Sequence, residues 1–238
     1  MPKPYFQFKQ FTIFHDKCAM KVGIDAVLLG VWASVDKAKE ILDIGTGSGL
    51  IALMLAQRNP NSFVDAIDID TNAILQATEN VNQSPWPNRI SMQQISLQQF
   101  ALTSKKRYDL IVSNPPYFIN SLKAPSESRT NARHTELLTH EELIENAIKL
   151  LHPEGRICII LPVNEGMECI DFTLKNGLTC SKRVVIFPKP TAGAKRLLLE
   201  FCLQKGQTDV SELVIESEER HHYSPEFTEL AKNFYLKL

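Results

Sequence analysis

Apolar runs recur along the chain at 40–44, 63–69, 90–95, 108–113, 156–162, 183–188 and 197–204, and each is short enough to read as one buried strand. Between the early runs, 50–57, 71–82 and 141–151 carry their apolar residues at helical spacing instead. In the last of these, Leu143, Ile144, Ala147, Ile148 and Leu151 form one stripe, and Thr139 with Glu142 makes a capping box at its start. Strands alternating with helices predict a doubly wound, mostly parallel α/β sheet of seven strands, Rossmann-like in outline. The final two runs are joined only by 189–196, where Lys189-Pro190-Thr191-Ala192-Gly193-Ala194 supplies turn residues, so the sheet is expected to end in an antiparallel hairpin. The polar stretch 121–140 is too long for an ordinary βα connection and reads as functional or mobile. Residues 1–35 read as an N-terminal extension packed on a core domain spanning 36–238.

Composition changes this picture little. The 238 residues are 44% hydrophobic and 22% charged, which excludes global disorder. No apolar stretch approaches the ~18 to 20 residues of a membrane span, and no secretory signal is visible, so a cytoplasmic location is expected. Cys18, Cys158, Cys169, Cys180 and Cys202 are scattered without a CxxC pair or metal spacing; they read as reduced core residues, and no metal is expected. The net charge is -1, yet Lys3, Lys9, Lys17 and Lys21 gather early, and Lys182, Arg183, Lys189, Lys195 and Arg196 gather late. Each cluster is either a solvated face or, if the fold brings both to one surface, a phosphate-tracking patch.

Two motifs carry chemistry. Asp43-Ile44-Gly45-Thr46-Gly47-Ser48-Gly49 follows a predicted strand and opens a predicted helix, where glycines permit a tight turn and close backbone approach to a ligand. Glycines alone fit a plain βα turn. Asp68 at the end of the next strand sharpens the reading, since a carboxylate there can accept both hydroxyls of a ribose; Asp70 reads as a helix cap before Thr71. The second motif, Asn114-Pro115-Pro116-Tyr117, lies just outside the strand 108–113. Two prolines remove two backbone donors and stiffen the loop, leaving acceptors in the crevice at the carboxyl ends of the strands. The Asn114 carboxamide oxygen and the Pro115 carbonyl can both accept from one exocyclic amino group, Pro116 shapes the loop, and Tyr117 offers a face for stacking. Two acceptors favour a pyramidal nitrogen with its lone pair aimed at an electrophile, so such a site works by positioning and needs no strong base.

Asp-x-Gly-x-Gly-x-Gly resembles the S-adenosylmethionine turn of class I methyltransferases, and Asn-Pro-Pro-Tyr resembles the loop of those that methylate amino groups. Longer stretches are similar to one family. Phe8-Lys9-Gln10-Phe11, His15 to Gly23, Asp25 with Leu28-Leu29-Gly30, Trp32-Ala33, Asn82-Gln83-Ser84-Pro85-Trp86-Pro87 and Asn233-Phe234-Tyr235-Leu236 resemble the bacterial tRNA1(Val) (adenine(37)-N6)-methyltransferases. That resemblance implies methyl transfer from S-adenosylmethionine to N6 of adenine 37, in the anticodon stem-loop of a tRNA. It implies that Asp43, Gly45, Gly47, Gly49, Asp68, Ile69, Ser96 and Asn114 meet the cofactor, with Asp68 on the ribose and Asp43 near the methionine part. Asn114, Pro115, Pro116 and Tyr117 would then hold a base flipped from its stack. Lys9, Lys21, Arg133, Lys189, Lys195 and Arg196 are the candidate RNA contacts. His134 with Arg133 reads equally as a contact to phosphate or the flipped base and as a solvated loop pair, and Trp86 reads as a packed loop anchor ahead of a base-stacking residue. Two positions depart from the family pattern: Ser96 stands where an acid usually meets the cofactor adenine, and Ile24 stands in place of Thr. A neutral acceptor binds more weakly than a charged one, so reduced cofactor affinity is expected. Two other readings remain: an N5-glutamine methyltransferase of peptide-release factors, and a cofactor-binding RNA-interaction protein without transfer activity.

Overall fold

A computed structural model describes residues 3–18, 21–116, 138–219 and 222–237. Tyr117, Arg133 and His134 lie outside the described residues. The chain opens with a small antiparallel hairpin, β1 (Tyr5–Gln7) and β2 (Thr12–Phe14), followed by α1 (Ile24–Trp32). Then come β3 (Glu40–Ile44), α2 (Leu50–Arg58), β4 (Phe63–Asp68), α3 (Thr71–Asn82), β5 (Ile90–Gln94), α4 (Leu97–Thr103) and β6 (Tyr108–Ser113). The second half holds α5 (His140–Leu150), β7 (Leu151–Pro162), α6 (Val163–Lys175), β8 (Thr179–Phe187), β9 (Arg196–Cys202), β10 (Asp209–Val214) and α7 (Pro225–Ala231).

Strands β3 to β10 form one sheet in the order β10-β8-β9-β7-β6-β3-β4-β5, parallel except where β9 runs against β7 and β8. All seven expected strands are present, and the β8–β9 pair is the expected antiparallel hairpin. An eighth strand, β10, extends the sheet beside β8. Its first four residues, Asp209, Val210, Ser211 and Glu212, are exposed, so this edge strand lacks the apolar run that marks its neighbours. The helical stripe also ends sooner than expected: Leu150 closes α5, and Leu151 already belongs to β7.

Alternation along each strand divides the core between two faces. Val64, Ala66, Leu110, Val112, Cys158, Ile160 and Leu198 face a cluster containing α1, α2 and Phe227 of α7. Ile67, Ile111, Ile157, Ile159, Leu197 and Leu199 face a second cluster under α4, α5 and Cys169 of α6. Period-two side-chain geometry therefore makes each central strand apolar on both sides, which is why it reads as a continuous run. The capping box forms as expected: Thr139 Oγ1 accepts from Glu142 N at 3.1 Å, and Glu142 Oε2 accepts from Thr139 N at 3.0 Å. Phe8, Phe11 and Ile13 of the N-terminal segment are buried in the first cluster, with Trp86 edge-on to Phe11 at 5.8 Å. Trp86 is thus a packing residue.

Candidate active site

Strand order reverses at β3: the sheet grows through β4 and β5 on one side and through β6 and β7 on the other, all of them parallel. A crevice opens at the carboxyl ends of strands at such a switch point. Register fixes what stands there. Ile44 is opposite Ile67 on one side and Ser113 on the other. One residue further, Gly45, Asp68 and Asn114 reach the same level, Asp68 and Asn114 two strand spacings or about 10 Å apart across the turn. Ser113 Oγ donates to the Ile44 carbonyl at 2.9 Å, pinning the strand that delivers Asn114 to the strand that delivers the glycines. Asn114 is half-buried, Pro115 buried and Pro116 exposed.

The turn is held from below. Gly45 N and Thr46 N donate to the Ile67 carbonyl at 2.9 and 3.1 Å, and Gly47 N donates to Asp68 Oδ2 at 2.9 Å. Gly45 and Gly47 sit at φ +70 and +56, and a Cβ at either would meet nothing within 4 Å. Backbone there borders open space. Gly49 differs: its Cβ direction meets Ala77 and Met92 at 3.3 Å, so it serves the packing of α2 against α3 and β5.

Asp43 is fully buried. Its Oδ2 accepts from Thr46 Oγ1 at 2.6 Å and from Ala52 N at 3.2 Å, whereas Oδ1 has no hydrogen-bond partner. Burial pushes this carboxyl up to about 7; the Thr46 and Ala52 bonds oppose the rise, and the Asp68 charge adds to it. An orphaned carboxylate oxygen beside an open glycine turn fits a ligand bearing a cation or N–H donors. Asp68 itself is fixed by Asp70 N at 3.0 Å on Oδ1, with Oδ2 taken by Gly47 N, which leaves further lone pairs toward the crevice. Asp70 caps α3 through Asn72 N at 2.8 Å, as expected. Ile69, 53% exposed, lays an apolar surface next to Asp68. Ser96 begins α4, and its hydroxyl already accepts from Gln99 N at 3.2 Å as an N-cap. Thr46, Ser113 and the capping duty of Ser96 escape a motif search; only the three-residue offset of Thr46 from Asp43 hints at its bond.

The basic residues scatter. Loop 188–195 lies at the site end of the sheet, because Arg196 pairs with Pro162 at the carboxyl end of β7. There Arg196 Nε donates to Asp25 Oδ2 at 2.9 Å, and Lys189 lies 3.4 Å from Glu216; Lys195 and Lys21 are exposed. Lys182 and Arg183 point elsewhere, the first to Glu200 at 3.6 Å and the second to the Met167 sulfur at 3.8 Å. Lys9 sits at the opposite end, where its ammonium donates to the Lys232 carbonyl at 2.6 Å and the adjacent Gln10 borders Gln57 and Arg58 at the end of α2. Among the described residues no His, Cys, Asp or Glu group could hold a metal ion, and no helix is long and apolar enough to cross a membrane.

Residues 25–181 match the Methyltransferase small domain family. A protein of Parabacteroides distasonis named tRNA1(Val) (adenine(37)-N6)-methyltransferase is 52% identical over 239 residues, covering 100% of both chains. One of the same name from Trichodesmium erythraeum is 46% identical over 98% of each. Among solved structures, a predicted O-methyltransferase from Agrobacterium tumefaciens aligns with a TM-score of 0.67 and 18% identity, over 88% of this chain and 96% of that one, which is a likeness of fold. With a family match across most of its length and relatives of one name aligned end to end, the chain belongs to the tRNA1(Val) (adenine(37)-N6)-methyltransferase family within the small-domain methyltransferases.

Proposed function

We propose that this chain methylates N6 of adenine 37 in tRNA1(Val), using S-adenosylmethionine. The observation that carries the reading is the register that sets Asn114 and Asp68 level with each other on either side of the glycine turn. When bound, S-adenosylmethionine supplies a methyl group activated by a sulfonium. The fit rests on the open space over Gly45 and Gly47 and on the unpartnered Asp43 Oδ1, which suit its methionine ammonium; Asp68 would hold the ribose hydroxyls, with Ile69 and Ser96 beside the adenine.

On the substrate side, Asn114 Oδ1 and the Pro115 carbonyl accept the two N–H groups of the flipped adenine, Pro116 keeps the loop stiff, and Tyr117 stacks on the base. The nitrogen's proton leaves to solvent during or after transfer, so no buried base is needed. Exposed Lys21 and Lys195 are assigned to tRNA phosphates, together with Arg133; Arg196 and Lys189 shape the same rim through their ion pairs. A tRNA substrate places the enzyme in the cytoplasm. Residues 1–35 serve as an extension of the catalytic domain 36–238.

Incubation with labelled S-adenosylmethionine and either total tRNA or peptide-release factors tests the substrate class; label in release factor rather than tRNA would favour the glutamine reaction. Asn114→Ala is expected to lower kcat by about 10²- to 10³-fold while cofactor binding persists. Turnover retained in that variant would move the chemistry to other residues.

A further inference from the structure

One buried side chain joins the N-terminal segment to the glycine turn. Asn80 of α3 is 1% exposed and uses both halves of its amide. Its Oδ1 accepts from Phe14 N at 2.9 Å, and its Nδ2 donates to the carbonyls of Phe14 and Ser48, each at 2.9 Å. One helical turn nearer the site, Gln76, also 1% exposed, accepts from Lys17 N at 3.1 Å, while the Lys17 ammonium meets Glu79. α3 starts at the mouth with its cap Asp70 and runs away from it. Residues 14–18 run back along it, since Phe14 meets Asn80 and Lys17 meets Gln76. The path ends with half-buried Cys18 at the Asp68 and Asp70 end; burial first, then the charges of Asp68, Asp70 and Asp16, push its thiol up to about 11.

We propose that residues 14–18 form a wall of the cofactor cleft beside Asp68, and that Asn80 is the positioning residue holding this wall and the glycine turn in one arrangement. The proposal rests on the reading of the 45–49 turn as the cofactor site. A buried amide that satisfies three backbone groups of two separate segments fixes their relative position, because moving either one strands a polar group away from water. The turn is then clamped from two sides, at Gly47 N by Asp68 and at the Ser48 carbonyl by Asn80.

The test uses the full-length chain, S-adenosylhomocysteine and N-ethylmaleimide, with labelling read peptide by peptide by mass spectrometry. At ten times the dissociation constant of S-adenosylhomocysteine, Cys18 labelling slows about tenfold, following the share of protein left empty. Cys202, half-buried at the opposite end of the sheet where it pairs with Thr179 and Arg156, keeps its rate. Asn80→Ala weakens S-adenosylhomocysteine binding by about tenfold and raises KM for S-adenosylmethionine without changing KM for tRNA. Gln76→Ala leaves the Ser48 contact intact, so it speeds Cys18 labelling and weakens binding less. Calorimetry showing S-adenosylhomocysteine bound while Cys18 reacts at its unliganded rate overturns the wall and leaves the cofactor reading standing. No binding to the wild-type chain overturns both. If Asn80→Ala does not fold, the wild-type protection experiment decides alone.

Discussion

Asp43 keeps one carboxylate oxygen bonded twice and the other bonded to nothing, and that asymmetry has a measurable consequence. Its folded value of about 7 lies above the ordinary 3.8. Between those two pH values the folded chain holds a proton that the unfolded chain has lost. This carboxyl's contribution to the stability of the ligand-free protein is therefore fully present below pH 4 and is lost as pH rises through about 7. A methionine ammonium favours the ionised form, so cofactor binding should release a proton and tighten as pH rises toward 7. Calorimetry in buffers of different ionisation heat reads that proton directly, and Asp43→Asn should abolish both the release and the pH dependence. Ser96 permits a cleaner substitution than its sequence position suggests. Aspartate caps helices as well as serine does, so Ser96→Asp keeps the bond to Gln99 N and adds a charged acceptor. Unchanged melting with about fivefold tighter S-adenosylmethionine binding is expected; an unchanged or weaker dissociation constant would remove Ser96 from the adenine contacts.

Single contacts at the ends of elements decide how the rim is built. Arg196 opens β9 and Asp25 lies in the first turn of α1, so their bond ties the N-terminal helix to the turn end of the β8–β9 hairpin. Both side chains are largely shielded, 28% and 17% exposed, which places the pair between a surface bridge and a buried one. Arg196→Ala and Asp25→Ala should each destabilise the fold by about 1 kcal/mol, and the double variant should cost less than their sum. Strictly additive melting data would make the bond incidental. These two residues carry opposite charges 171 positions apart, and nothing local in either segment announces the other. The capping box of α5 is the contrary case, legible because both partners lie within one turn.

Across the whole molecule, a net charge of -1 means that tRNA affinity must come from local placement of cations. Replacing Lys21 and Lys195 together should flatten the dependence of log K on log salt by about two, whereas Lys9→Ala, at the far end, should leave the slope unaltered. Equal slopes for wild type and the double variant would exclude this rim as the phosphate contact.

The apolar runs, the glycine turn and Asn114-Pro115-Pro116 were readable because each draws its meaning from neighbours in the chain: a strand buried on both faces must be apolar throughout, and a ligand turn needs its glycines side by side. Strand β10 was not, since an exposed edge imposes no such pattern. Nothing local marks the bonds of Asn80, Gln76, Ser113, Lys9 or Arg196, because their partners are set by helices and strands packing across the sheet. Local periodicity and turn chemistry wrote the elements and the motif residues into the chain. Which polar groups pair, and with what, was settled only when packing brought distant backbone and side chains to a common distance and excluded water from between them.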